Sequence, residues 1–222
     1  HILFENSRLL VLDKPAGIAV HGGSGLSYGV IEALRAQRPE APYLELVHRL
    51  DRETSGCLLI AKRRSALRDL HRQLREGRVT KHYLALVRGD FAGTRRVEAP
   101  LRKNQMQGGE RMVRVSADGK PAATVFRQVS RQGNATLVEA VLETGRTHQI
   151  RVHAAHMDHP LAGDEKYGDA VFNRDMKSHG LRRMFLHAHM LEFADPASGE
   201  PVNVSAPLDD ELRGVLDSLD RD

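Results

Sequence analysis

His48-Arg49-Leu50-Asp51-Arg52-Glu53-Thr54-Ser55-Gly56 is a charged segment between two apolar runs. Residues 43–47 (YLELV) precede it and residues 57–61 (CLLIA) follow it, so the pattern predicts a strand, a loop and a second strand. Gly56 supplies the backbone freedom with which the chain re-enters the sheet. The sequence therefore predicts that Asp51 lies on a loop braced by buried strands, where a rigid scaffold can present a reactive carboxylate. An ordinary turn aspartate that caps backbone amides is the alternative.

The other strand and helix patterns predict an α+β protein. Strand patterns fall at 8–12, 43–47, 57–62, 81–87, 124–129, 135–142, 183–189 and 202–205, and helix patterns at 29–37, 65–75, 147–157 and 209–219. Because their order is irregular rather than a regular alternation of strand and helix, we expect a mixed, mainly antiparallel sheet with peripheral helices. Residues 104–110 resemble a loop, which we interpret either as a flap over a ligand or as the end of a hairpin.

Length and composition are those of a globular protein. The 222 residues suffice for one large domain or two small ones with a substantial core. No apolar run approaches the ~18 residues of a membrane span, and no charged-then-apolar leader precedes the first strand pattern, which favours the cytoplasm. The single cysteine, Cys57, excludes an intramolecular disulfide, and we expect it to pack as a small hydrophobe. A monomer is the default expectation.

The distribution of positive charge favours a polyanionic partner. The formal net charge is only +4. The helix pattern that begins at residue 65 carries a leucine stripe on one face and four arginines about one turn apart on another, namely Arg64, Arg68, Arg72 and Arg75. Such a row would follow a line of phosphates, although a merely solvated helix face is the alternative. Further basic clusters occur at 95–96, at 102–103, around 111 and 114, and at 182–183.

Several separate motifs resemble those of one enzyme family. They are residues 12–17 (LDKPAG) with Val20-His21, residues 48–51 (HRLD) with 54–56 (TSG), residues 81–85 (KHYLA), residues 145–153 (GRTHQIRVH), residues 163–168 (GDEKYG) and residues 185–188 (FLHA). In this order they are similar to the RluA family of pseudouridine synthases, RNA-modifying enzymes that isomerise uridine in place. The resemblance spans nearly the whole chain and implies a bent mixed sheet around a central cleft. The stretch 21–49 is most similar to the branch that acts on large-subunit ribosomal RNA.

The resemblance also implies a domain organisation and a partner. Members of this branch carry a small RNA-binding domain ahead of the catalytic region, whereas this sequence starts at His1, directly before the first strand pattern. We therefore expect residues 1–222 to form a catalytic domain without that N-terminal domain. The implied partner is large-subunit ribosomal RNA, with transfer RNA as the alternative substrate. No cofactor is expected.

Three residues are implied to carry the chemistry. Asp51 would act as nucleophile or base, and attack on C6 of the base, attack on the sugar carbon and removal of a sugar proton all remain open. Arg151 would form an ion pair with Asp51, and the helix pattern places it one turn beyond Thr147 as a possible N-cap. Tyr83 would stack on the extruded pyrimidine and serve as acid or base at C5. For Arg151 the alternative is a solvated helix face, and for Tyr83 a core position.

Other residues are implied to bind the RNA. Arg49 resembles the residue that fills the gap left in the RNA helix when uridine is extruded. Leu186 would form an apolar wall of the pocket, and Lys81, Arg146 and His148 belong to the matching motifs and are predicted to contact RNA.

Two other classes of function are alternatives. A catalytically silent RNA-binding or ribosome-assembly factor would be expected to lack one of the three residues above, and all are present. A metal-dependent hydrolase is suggested by a cluster of histidines, His148, His153, His156 and His159, but their spacing is not that of a one-turn ligand pair and arginines lie among them. Leu26 stands where a nucleophile elbow needs glycine, and the glycines near it lack the lysine of a phosphate-binding loop.

Overall fold

The protein is described by a computed structural model that covers residues 1–23, 28–107 and 110–221, without the side chains of 104–107 and 110–111. Its elements in chain order are β1 (Ile2–Glu5), β2 (Leu9–Lys14), α1 (Val30–Gln37), β3 (Glu45–Leu46), β4 (Ser55–Ala61), α2 (Arg64–Arg75), β5 (Thr80–Arg88), β6 (Thr94–Glu98), β7 (Leu101–Gln107), β8 (Glu110–Val115), β9 (Ala123–Gln132), β10 (Ala135–Leu142), α3 (Gln149–His156), α4 (Ala170–Ser178), β11 (Leu186–Ala194), β12 (Pro201–Ser205) and α5 (Asp210–Leu219).

The chain forms two compact units. Residues 1–81 and 187–208 make the first unit, and residues 82–186 and 209–222 make the second. The chain passes from one unit to the other within β5 and within β11, and again after Leu208. None of the helices within the described ranges is long and apolar enough to cross a membrane.

The first unit is built around β4. Strands β1, β2, β4, β11 and β12 lie side by side in that order, β3 also pairs with β4, and only β4 and β11 run parallel. All seven residues of β4 are buried, which explains why its sequence is a continuous apolar run rather than an alternating one. Helix α2 packs on this sheet through Ala66 and Leu70, and Gln73 joins the helix to the backbone of Ala194 in β11.

The second unit contains an antiparallel sheet in the order β5-β10-β9-β6 and a separate hairpin of β7 and β8. The hairpin contributes Leu101 and Val113 to a small apolar cluster that also contains Val152 of α3. Phe91 and Phe126 are fully buried elsewhere in this unit. The helix that carries Arg151 is therefore held against the hairpin by packed side chains.

The α+β class and the mainly antiparallel sheet are confirmed, and Cys57 is buried as expected. The 43–47 pattern yields only the two residues of β3, and the 183–189 pattern becomes a strand only from Leu186. Strands β1, β6, β7 and β8 and helix α4 had no predicted counterpart. The interpretation of 104–110 as the end of a hairpin is confirmed, although 104–107 belong to β7 and 110 to β8 and are strand rather than loop. Residues 108–109 lie outside the described residues.

Candidate active site

The loop that carries Asp51 is a tight turn at the entrance to β4. The amide of Thr54 donates to the Asp51 carbonyl over 3.1 Å, and Ser55 begins the strand immediately afterwards. The Asp51 side chain is partly exposed, whereas Leu50, Thr54 and Ser55 are buried. The predicted order of strand, loop and strand is confirmed, and it leaves Asp51 as an acidic group presented from a turn with buried flanks.

A buried lysine braces this turn. Lys14, 1% exposed at the end of β2, donates through Nζ to the carbonyls of Pro15 at 2.8 Å, Ile18 at 2.8 Å and Arg52 at 3.1 Å. Gly17 and Arg52 also bond to each other twice, since the Gly17 amide donates to the Arg52 carbonyl and Arg52 Nε donates to the Gly17 carbonyl, both at 2.9 Å. Arg52, the residue next to Asp51, is therefore fixed by two hydrogen bonds to Gly17 and one to Lys14.

The His48 ring, at the start of the same motif, acts as a hydrogen-bond acceptor where a strand would offer a backbone carbonyl. Its Nε2 accepts the Leu59 amide over 3.1 Å and so extends the short β3–β4 ladder by one bond. Burial, assisted by the nearby charge of Lys81, lowers the pKa of His48 to about 3. The ring is consequently neutral, as an Nε2 acceptor must be. This role of His48 could not be predicted, because a backbone-like hydrogen bond leaves no pattern in the sequence.

The far end of the motif is fixed to β11. Ser55 and Gly56 pair with His187 and Ala188 in parallel register, and Ser55 Oγ lies 2.8 Å from His187 Nδ1. Gly56 has φ of +102°, and a Cβ there would overlap the Ala188 carbonyl oxygen. The predicted need for glycine at this point is confirmed, for a positive φ and for a close strand approach together.

Two predicted RNA-binding residues belong to this first unit. Arg49 is exposed and makes no side-chain hydrogen bond or ion pair with any residue that the structure describes. Lys81 lies near His48, whose pKa its charge helps to lower, and burial lowers the pKa of Lys81 itself. The structure thus brings Arg49 and Lys81 to the Asp51 motif, while contact with RNA stays a prediction.

In the second unit, Arg151 is held by a buried carboxylate that sequence analysis missed. Arg151 Nε and Nη2 donate to Asp164 Oδ2 and Oδ1 over 2.7 and 2.8 Å, a bidentate pair. Asp164 is 1% exposed and also accepts the amides of Lys166 and Tyr167. Burial opposes ionisation of Asp164, but the hydrogen bonds and the Arg151 charge prevail and its pKa is lowered. The motif 163–168 contained this residue, but nothing in the sequence indicated its partner.

A tyrosine links the same arginine to the β7–β8 hairpin. The Arg151 guanidinium lies over the Tyr167 ring, 5.0 Å from its centroid. The Tyr167 hydroxyl accepts the Val113 amide of β8 and lies 2.9 Å from His148 Nδ1. His148 itself has φ of 53° and precedes the first helical residue of α3, so the expectation that Thr147 caps this helix is wrong.

The remaining predicted residues also lie in the second unit. Tyr83 is 6% exposed in β5, opposite Ala140 of β10, and Leu186 is 4% exposed at the first position of β11. Arg146 is exposed and its Nε donates to the Pro121 carbonyl over 3.0 Å. The ion pair of Asp51 with Arg151, the stacking role of Tyr83 and the pocket wall at Leu186 stay predictions.

Three of the four histidines of the suggested metal cluster, His148, His153 and His159, are hydrogen-bonded within the protein. The ring of His153 lies 2.9 Å from both Thr124 Oγ1 and the Ala99 carbonyl, and burial lowers its pKa. His159 Nδ1 lies 2.8 Å from the Arg88 carbonyl. Within the described ranges, no group of three or more histidine, cysteine or acidic side chains could hold a metal ion.

Comparison with known proteins establishes the class. Residues 8–156, about two thirds of the chain, match the family model described as RNA pseudouridylate synthase, and the chain belongs to this family. Fold and family together define an isomerase of RNA uridines, a pseudouridine synthase.

Similar proteins are found among bacteria. The chain is 57% identical over 220 residues to ribosomal large subunit pseudouridine synthase C of Haemophilus ducreyi, covering 99% of this chain and 69% of that protein. It is 59% identical over 219 residues to the protein of the same name from Pasteurella multocida, covering 98% and 67%. The Escherichia coli K12 protein of that name is 57% identical over 221 residues, with 98% and 69% covered.

Two solved human structures share the fold. Human RNA pseudouridylate synthase domain containing 4 is similar with a TM-score of 0.81 and 27% identity, over 99% of this chain and 92% of that one. Human RNA pseudouridylate synthase domain containing 1 is similar with a TM-score of 0.75 and 28% identity, over 93% of this chain and 82% of that one. The similarity therefore extends over both compact units of the chain.

Proposed function

We propose that this protein converts specific uridines of large-subunit ribosomal RNA into pseudouridine, and that the Asp51 carboxylate starts the reaction. The observation that carries the proposal is the Asp51 turn itself. A partly exposed acid with buried flanks, braced by Lys14 on one side and by β11 on the other, suits a group that must meet its substrate in one geometry. The choice of RNA follows the names of the bacterial relatives.

The reaction needs a positioned carboxylate rather than an energy source. The bond from N1 of the base to the sugar breaks, the uracil turns, C5 bonds to the same sugar carbon, and C5 gives up its proton while N1 gains one. No atom is gained or lost overall. An ionised Asp51 can begin this sequence as nucleophile or as base, and the proposal holds for either route.

The other predicted residues have supporting roles in this proposal. Arg151 orients the Asp51 carboxylate, and it is itself held in one orientation by Asp164. Tyr83 stacks on the extruded uracil and exchanges the proton at C5. Arg49, exposed and without a described partner, fills the gap in the RNA, while Lys81, Arg146, His148 and Leu186 line the path of the nucleotide.

The proposal extends to the organisation of the protein. Residues 1–222 act as the catalytic domain, as a monomer, in the cytoplasm where ribosomal RNA is made in bacteria. The proposal includes no cofactor, because the rearrangement needs no external oxidant, reductant or group donor.

The test compares Asp51→Asn with Glu53→Gln in the full chain. Glu53 is an exposed acid two residues away and provides a control for the loss of one negative charge. Each protein is incubated with unmodified large-subunit RNA transcript, and new pseudouridines are mapped by chemical labelling. We expect parent and Glu53→Gln to modify the same positions, and Asp51→Asn to bind RNA but form none. An active Asp51→Asn variant, or a parent that modifies only transfer RNA, would contradict the proposal.

A further inference from the structure

Three arginines of α2 have no acidic partner. Arg64, Arg68 and Arg75 are exposed, and none forms an ion pair or side-chain hydrogen bond with a described residue. Several other exposed arginines are paired with acids; for example, Arg131 binds Asp90, and Arg213 binds Asp210. Three uncompensated cations on one helix repel one another unless an anion lies between them.

The three arginines form a straight row. At about 100° per residue, positions 64, 68 and 75 project within about 40° of one another, and they extend over about 16 Å of the helix axis. The acid of this helix lies elsewhere, because Asp69 is turned to the other flank and binds Arg72 and Gln73 there. The sequence predicted a row of four arginines; the structure removes Arg72 from it and leaves three.

The row lies next to His71, which contacts the residue just before the Asp51 motif. His71 projects about 20° from Arg64 by the same helical geometry, and its Nε2 lies 3.1 Å from the Val47 carbonyl. Val47 directly precedes His48, and Asp51 is four residues further on, at most about 14 Å of extended chain. The buried face of α2, with Ala66, Leu70 and Gln73, points to the sheet instead.

We propose that Arg64, Arg68 and Arg75 form a phosphate-binding row that holds the RNA strand flanking the target uridine outside the catalytic pocket. The inference deepens the proposed function and rests on it for the identity of the polyanion. A linear array of mobile, fully charged guanidinium groups fits a phosphate backbone, whose negative charges also follow a line. An acidic protein segment is the competing partner.

The test uses two triple variants with the same change of net charge. R64Q/R68Q/R75Q removes the row, and glutamine preserves helix propensity. The control, R127Q/R131Q/R213Q, removes three exposed arginines that are paired with surface acids. RNA affinity is measured by fluorescence anisotropy between 50 and 300 mM salt, and pseudouridine formation is measured as kcat and KM on the same RNA.

We expect the row variant to bind RNA about tenfold more weakly at 0.15 M salt, with KM raised and kcat unchanged. The slope of log affinity against log salt should become shallower by about 2, as expected for three lost phosphate contacts. Equal affinity and slope for the two triple variants would overturn the proposal, and so would competition by polyglutamate as effective as that by RNA. If the parent protein formed no pseudouridine, the proposed function would be contradicted. The arginine row would still be tested, because fluorescence anisotropy measures RNA binding without turnover.

Discussion

At the scale of single residues, polar side chains of the matching motifs are fixed by partners that lie elsewhere in the sequence. Lys14 is bonded to Arg52, His48 to Leu59, and Arg151 to Asp164. Each bond joins a polar group with little exposure to a partner of matching geometry. Removal of one partner would leave the other buried and unsatisfied, which costs more than the bond contributes.

Asp164→Asn should weaken both folding and turnover. The amide keeps the shape but loses the charge that grips Arg151, so we expect a loss of about 3 kcal/mol in the free energy of unfolding. Activity should fall roughly a hundredfold through kcat, because Arg151 is then free to leave its orientation. Urea unfolding and single-turnover pseudouridine formation measure the two effects.

Glu165→Gln is the matched control for Asp164→Asn, since the neighbouring acid is exposed. It should behave as the parent in both measurements. Parental kcat in Asp164→Asn at a temperature where the variant is folded would show that Asp164 has no positioning role.

At the scale of elements, the sequence predicted those whose pattern is local. The run 57–62 and the heptad-like spacing of α2 specify their elements by burial alone, and both were located within two residues. Strands β6, β7 and β8 were missed because they are rich in charged and polar residues and are strands only through their pairing partners. Helix α3 starts later than predicted because His148 takes a left-handed conformation that no spacing rule indicates.

Gly56→Ala tests the junction of β4 with β11. Alanine at φ of +102° is strained, and its methyl group would overlap the Ala188 carbonyl, so we expect more than about 2 kcal/mol of destabilisation. Thermal and urea unfolding measure the change. Gly214→Ala is the control, because a methyl group at this position in α5 meets open space and should leave stability equal or slightly higher. Equal stability of the two variants would contradict the fit described for Gly56.

At the scale of the whole molecule, stability should fall steadily below about pH 6.5. The unfolded chain takes up a proton at His48 near its ordinary pKa of 6.5, whereas the folded protein resists it until about 3. His153, buried and also lowered in pKa, acts in the same direction. Glu5 adds to the loss of stability at lower pH, because Arg38 and Lys62 lower its pKa to about 2 in the folded protein, compared with 4.5 in the unfolded state. In each case the unfolded state binds more protons, so acid favours unfolding.

The measurement is the free energy of unfolding in urea from pH 8 to pH 4. His48→Gln should be less stable than the parent at pH 7 but lose less between pH 6.5 and pH 4, by up to about 1.4 kcal/mol per pH unit. His21→Gln alters an exposed histidine, so its free energy of unfolding should change with pH as that of the parent does. If the free energy of unfolding of His48→Gln depended on pH as that of the parent does, protonation of His48 would not cause the loss of stability in acid.

Asp51, Arg49 and Arg151 could be proposed from the sequence because each lies in a contiguous motif, and their roles stay predictions. The supporting residues were not predictable, because Lys14, His48 and Asp164 act through folded contacts. The pairing of charged residues was likewise not predictable. The sequence shows four arginines at helical spacing, but only the structure shows that Arg72 is paired with Asp69 and the other three are not.

The lysine ammonium enclosed by three carbonyls has a consequence for how substrate recognition must proceed. Moving this turn to fit a poorly positioned nucleotide would break three charge-assisted hydrogen bonds of a lysine side chain that is itself buried. We therefore expect this turn to keep its shape when RNA binds. The RNA must then bend, unpair and rotate the target nucleotide out of its helix. Uridines in loops and junctions, which deform easily, are therefore the favoured substrates.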